Sequence, residues 1–300
     1  MAVMLPGFRV LTFLFVVSVF ANSSVGADGM QYPLGSVRND AGELFIVDLK
    51  MHGVWKATDG KLSAYFEGSP KFRTPLNAAR CIAFDKDGNV LAGDTSTREV
   101  YRFKEAGKPE PLTGAGPITD DDGKVTGFKP GIGMPMAIAV AKDGTIYIAD
   151  LELHRIFKVP HEGRTDGKPE IVAAVEAPRG LAFDPDGNLI VLSTTKDQIL
   201  KVDSDGKVSV LVPGRPFNFP HNIVITNDGT MFVTDGYGKC VWKIGADLKP
   251  VKLFEGGPLS NPVGLSLSGD KLIVTDPRAE GPRVFELDLE GNLTPIELAP

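Results

Sequence analysis

Residues Gly180 to Ser193 read Gly-Leu-Ala-Phe-Asp-Pro-Asp-Gly-Asn-Leu-Ile-Val-Leu-Ser. Residues Asn222 to Asp235 read Asn-Ile-Val-Ile-Thr-Asn-Asp-Gly-Thr-Met-Phe-Val-Thr-Asp. Each stretch sets an apolar run, an Asp-Gly turn and a second apolar run in the same order. Asp-Gly between short apolar runs is a hairpin signal, because Gly accepts the positive φ that tight hairpin turns require. The pattern returns at 81–94 (CIAFDKDGNVLAGD) and 137–150 (AIAVAKDGTIYIAD), and more weakly at 35–48 (GSVRNDAGELFIVD) and 264–276 (GLSLSGDKLIVTD).

Each copy continues into a third apolar run, such as Val100-Tyr101-Arg102 or Val241-Trp242-Lys243, and then a fourth, such as Val208 to Val212. The ends of the second runs, Asp48, Asp94, Asp150, Ser193, Asp235 and Asp276, recur every 41 to 56 residues. A unit of four short strands at a period of about 40–50 residues is the signature of a propeller blade. The reading is therefore an all-β chain, a six-bladed β-propeller with four antiparallel strands per blade, over residues 28–300. Runs such as Leu189 to Leu192 are apolar on both faces, as expected when blades stack against each other. The recurrent aspartates are expected to accept local backbone hydrogen bonds rather than to bind metal.

The chain has 300 residues, with 34 Gly and 23 Pro dispersed along it and a formal net charge of −6. This balance argues against a nucleic-acid partner held by phosphate attraction. At the N-terminus, Arg9 precedes the apolar run Val10 to Phe20, followed by Asn22, Ser23, Ser24 and Val25-Gly26-Ala27. That order predicts a signal peptide over 1–27, a run too short to span a bilayer, and an exported, periplasmic or extracellular protein without stable membrane insertion. The two cysteines, Cys81 and Cys240, fall in blades 2 and 5 and are expected to stay unpaired.

Residues 146–158 (IYIADLELHRIFK) resemble an NHL repeat: a strand ending in Asp, a loop, then an Arg-Ile strand. With six blades and the 180–188 stretch GLAFDPDGN, the chain also resembles the senescence marker protein/gluconolactonase family. The resemblance covers the whole predicted propeller. It implies that the first strand of each blade lines a central channel, with Leu34, Arg80, Met136, Arg179, His221 and Val263 at its mouth. Gluconolactonase-like enzymes hold a divalent cation there with an acid, an Asn and an Asp. The matching positions are Leu34, Arg179 and His221, a departure at all three. A zinc site of the amidating-lyase kind needs three converging histidines. Only His221 is expected at the mouth, with His52 and His154 farther from the axis and His161 at the other end.

A mouth with Arg80, Arg179 and His221 between Leu34, Met136 and Val263 suits a small anion, and Tyr237 and Arg278 are candidates to extend the site. Two readings lead, with a scaffold that has no small-molecule site as a third. One is a binding propeller for a small anionic ligand or a partner protein. The other is a hydrolase or lyase acting on a lactone or sugar acid, with His221 as general base, Arg80 and Arg179 holding negative charge, and calcium or zinc as the cation the resemblance implies. The connection 114–133, with Asp120-Asp121-Asp122, is the longest between blades; its aspartates lack the spacing of a calcium loop and read as a solvated acidic turn. No Gly-x-Ser-x-Gly, His-Glu-x-x-His or phosphate-binding Gly-rich motif occurs.

Overall fold

The computed structural model describes residues 29–300 apart from 115, 123, 130 and 165. The expected signal segment, 1–27, lies outside the described residues. Six four-stranded antiparallel sheets follow one another along the chain, each built from consecutive strands paired first to second, second to third and third to fourth. The first strands are Pro33–Arg38, Ala79–Phe84, Pro135–Val140, Pro178–Phe183, Pro220–Ile225 and Gly264–Ser268. Each contacts the first strand of the next blade, and that of blade 6 contacts that of blade 1, so the ring closes. The described residues contain no helix.

Six hydrophobic clusters hold the ring, one at each blade interface. Phe45 and Val47 of blade 1 pack with Val90 and Ala92 of blade 2, and Ile190 and Leu192 of blade 4 with Ile223 and Met231 of blade 5. The sixth cluster joins Ile273 and Val284 to Leu44 and Ile46 and seals the ring. This is why the second strands are apolar on both faces: Leu189–Ser193, for example, is buried throughout.

The chain ends add polar closure. Arg283 donates to the carbonyls of Met30 (2.6 Å) and Gln31 (2.9 Å). Ser36 Oγ lies 2.8 Å from Thr275 Oγ1 across the seam, and Leu62 N–H donates to Ala299 O at 2.7 Å.

The long connection between blades 2 and 3 forms a hairpin of its own, Gly116–Thr119 with Val125–Lys129. Asp120 to Asp122 sit exposed in its turn, with Lys124 N–H donating to Asp120 Oδ1 at 2.8 Å. The three aspartates thus form an exposed acidic turn, as expected. Both cysteines are free and buried, and burial pushes each thiol up to about 12, which keeps them protonated and inert.

Candidate functional site

The mouth residues owe their direction to a repeated irregularity. In five blades the pairing of first and second strands skips one residue, between Pro33 and Gly35, Ala79 and Cys81, Pro135 and Ala137, Pro178 and Gly180, and Pro220 and Asn222. The skipped residues are Leu34, Arg80, Met136, Arg179 and His221. A β-bulge releases one residue from the ladder and re-aims its side chain. Here it turns five side chains from five distant segments toward the axis.

A second ring lies two residues earlier: Tyr32, Ala78, Met134, Ala177, Phe219 and Asn261. In five blades the aspartate ending the second strand accepts the backbone N–H of this residue: Asp48 from Tyr32 (2.8 Å), Asp94 from Ala78 (2.9 Å), Asp150 from Met134 (3.1 Å), Asp235 from Phe219 (2.8 Å) and Asp276 from Asn261 (2.8 Å). These aspartates are scaffold, as expected. In blade 4, Ser193 Oγ instead donates to Glu176 O at 2.8 Å, and His154 Nδ1 accepts from Ala177 N–H at 3.0 Å. His52 Nδ1 lies 2.7 Å from Asn77 O. His52 and His154 therefore tie loops between blades.

The mouth residues, with Tyr32 and Asn261 of the second ring, line a cavity of about 170 Å³ on the axis, and Arg80, Met136, Arg179, His221 and Val263 all reach it. No carboxylate lines it among the described residues. The Arg179 guanidinium lies 4.7 Å from the Phe219 ring centroid, and its buried Nε has no hydrogen-bond partner among the described residues. Burial, and next the charge of Arg80, hold Arg179 below its ordinary value, yet an arginine so shifted is still charged at neutral pH. Burial, reinforced by Arg179 and opposed by Asp235, pushes the His221 imidazole down to about 4. His221 is therefore neutral at pH 7, its ring edge against Phe219 at 5.0 Å. The site pairs two fixed positive charges with an uncharged base, on walls made apolar by Leu34, Ile82, Met136, Ile138, Val263 and Leu265.

Of the residues singled out from sequence, Arg80, Met136, Arg179 and His221 converge on the cavity. Tyr237 stands just outside, stacked on Phe219 at 4.8 Å and 68% exposed. Arg278 is exposed and away from the lining, its backbone N–H donating to Asp276. Sequence reasoning missed Tyr32, Phe219 and Asn261. The repeat register that located the mouth ring, moved back two positions, would have found them.

A divalent cation seeks several oxygen ligands, and this mouth offers two guanidinium groups and no carboxylate; the residues present do not fit it. At the opposite end, Asp85, Asp87 and His161 bring ligand atoms within 4.8 Å of one another. The group's buried carboxylate, Asp85, is already paired from within. Arg102 Nε lies 2.7 Å from Asp85 Oδ2, and the same guanidinium donates to His161 O at 2.6 Å. His161 Nε2 lies 2.8 Å from Asp87.

Fold and site together define a six-bladed propeller with a cationic, carboxylate-free pocket on its axis. The chain belongs to the SMP-30/gluconolactonase/LRE-like family, whose profile matches residues 20–237. It is 26% identical over 191 residues to peptidyl-α-hydroxyglycine α-amidating lyase 1 of Drosophila melanogaster, a match covering 58% of this chain and 28% of that longer protein. Among solved structures it is similar to a gluconolactonase from Xanthomonas campestris, with a TM-score of 0.67 and 17% identity over 90% of this chain and 88% of the other. Virginiamycin B lyase from Staphylococcus aureus aligns with a TM-score of 0.60 and 17% identity, over 87% of this chain and 83% of the other. At these identities the structural likeness concerns the fold.

Proposed function

We propose that this propeller is a hydrolase or lyase acting on a small carboxylate-bearing lactone or sugar acid at the channel mouth, without a divalent cation there. The observation that carries the reading is the convergence of Arg80, Arg179 and neutral His221 on one carboxylate-free cavity. A carboxylate entering it meets guanidinium donors already stripped of part of their water, where charged hydrogen bonds are strongest. The negative charge that develops on a reacting carbonyl oxygen is stabilised by the same groups. His221, uncharged at pH 7, takes a proton, and an anion beside Arg179 cancels part of the repulsion that weakens it as a base.

Family membership supports an enzyme over a receptor, since a gluconolactonase and two kinds of lyase share this architecture. Export of the chain remains a proposal resting on the order of residues 9–27, which the N-terminal mass of protein recovered outside the cytoplasm tests.

The deciding experiment is turnover of a panel of sugar lactones, with and without a carboxylate, by protein stripped with chelator. Turnover that prefers the carboxylate-bearing members and falls in Arg80→Ala and Arg179→Ala supports the reading. No turnover, or turnover restored only by added cation, overturns it; tight binding of the acids without turnover leaves an anion-binding propeller.

A further inference from the structure

Tyr237 leaves most of its ring in water, 68% exposed, yet the loop that carries it is fixed. Gly236 N–H donates to Phe219 O at 3.0 Å, and Lys239 N–H to Gly236 O at 3.2 Å. Gly238 N–H donates to the anchor Asp235 Oδ1 at 3.0 Å. Neither glycine has room for a side chain: a Cβ at Gly236 would fall 2.6 Å from Asn261 Oδ1, and one at Gly238 2.6 Å from Asp235 Oδ2. The loop is therefore packed against the pocket wall and projects Tyr237 from a rigid base. Stacking on Phe219 accounts for one face of the ring. The part left in water gains nothing from burial, so folding alone gives no reason for an apolar ring there.

The position of the ring relative to the charges supplies one. Tyr237 and Phe219 stack with centroids 4.8 Å and planes 22° apart, and the Arg179 guanidinium lies 4.7 Å from the same Phe219 ring. One side chain thus joins the exposed tyrosine to the buried cation. The outer ring of the mouth, Tyr32, Ala78, Met134, Ala177, Phe219 and Asn261, carries no charged side chain, whereas both guanidinium groups belong to the ring inside it. The cavity of about 170 Å³ is also smaller than the ~300–1,000 Å³ of sites that bury a whole drug-sized ligand. It takes one small unit and leaves the rest of a larger molecule at an uncharged rim, beside Tyr237. The electron-rich face of a tyrosine receives the C–H face of a sugar or a second aromatic ring.

We propose that Tyr237 is a specificity-determining platform, and that the substrate of this site has two rings: a carboxylate-bearing unit in the cavity, joined to a second ring whose apolar face lies on Tyr237. The inference rests on the anion-pocket reading and narrows its substrate class. Arg80 and Arg179 hold the charge, and Tyr237 selects what is attached to it. Because the loop is already ordered, little freedom is lost when the second ring settles. Tyr237 touches no reacting atom, so its effect falls on binding and on the choice between substrates.

The test is calorimetry with three probes: glucuronate, its phenyl glycoside, and a disaccharide with a terminal glucuronate. Each is titrated into wild type, Tyr237→Ala and Tyr237→Phe. The second ring is expected to tighten binding to wild type by about threefold or more, the scale of a ring contact. Tyr237→Ala is expected to abolish that gain and Tyr237→Phe to keep it, with affinity for glucuronate unchanged in all three proteins. A gain with the phenyl glycoside alone makes the second ring aromatic; a gain with the disaccharide makes it a sugar. Glucuronate binding with no gain from either second ring, or a gain that survives in Tyr237→Ala, overturns the platform and leaves the anion pocket standing. Tyr237→Ala that weakens glucuronate as much as the larger probes also overturns it, because Tyr237 then belongs to the pocket wall. Failure of all three probes to bind wild type removes the pocket, and the platform with it.

Discussion

Replacing His221 by Asn gives a direct physical test of the cavity. The imidazole drops from its ordinary 6.5 to about 4, chiefly through burial and next through Arg179. In the folded chain it binds a proton less readily than in the unfolded chain. Its contribution is therefore neutral above about pH 6.5 and becomes a growing penalty as pH falls toward 4, where unfolding is rewarded by proton uptake. At about 1.4 kcal/mol per pH unit the full displacement amounts to about 3 kcal/mol. The ring is partly open to the mouth, which lowers the figure to about 2 kcal/mol by pH 4.5.

The assay is urea unfolding at pH 7.0, 5.5 and 4.5, followed by the fluorescence of Trp55 and Trp242, whose indole N–H groups each reach an anchor aspartate at 3.3 Å. Wild type is expected to lose about 2 kcal/mol more than His221→Asn between pH 7.0 and 4.5. His52, His154, His161 and every carboxylate are common to both proteins, so their titrations cancel in the difference. A difference below about 0.5 kcal/mol, within the scatter of surface substitutions, would refute a desolvated, cation-flanked imidazole.

Three further outcomes are expected. Arg179→Ala weakens binding of a small sugar acid such as gluconate by about 1.5–3 kcal/mol, the worth of a charged hydrogen bond, and equal affinity by calorimetry would remove Arg179 from the site. Exhaustive chelation leaves the melting temperature and any lactone turnover unchanged; joint loss of both would place a cation in the protein. Arg102→Ala destabilises by about 3–5 kcal/mol, because it leaves the buried Asp85 carboxylate without its cation, and a change under about 1 kcal/mol would show that the pair is not holding that end of the ring.

The number of blades was legible because a propeller repeats one local pattern, and each copy carries its own turn and its own apolar runs. The scaffold role of Asp48, Asp94, Asp150, Asp235 and Asp276 followed from the same regularity. The inward placement of Arg80, Met136, Arg179 and His221 came from that register read through the family resemblance, which implies that this position faces the axis. Tyr237 and Arg278 were legible only as residues on the same end of the ring. Which of them leans on the pocket depends on neighbours from other blades, and the structure sets Tyr237 on Phe219 and leaves Arg278 outside.

By itself the sequence determined the periodic parts: six sheets, their order and the buried second strands; the list of residues aimed at the axis came with the family resemblance. The periodic parts depend on local alternation and turn chemistry, which are written within a few residues of one another. Tertiary structure alone decided the electrostatics of the pocket and the approach of Asn261 to it beside His221. Burial and the approach of two cations are properties of space between blades. Segments more than a hundred residues apart, such as those carrying Arg80 and His221, meet there only once the ring has closed.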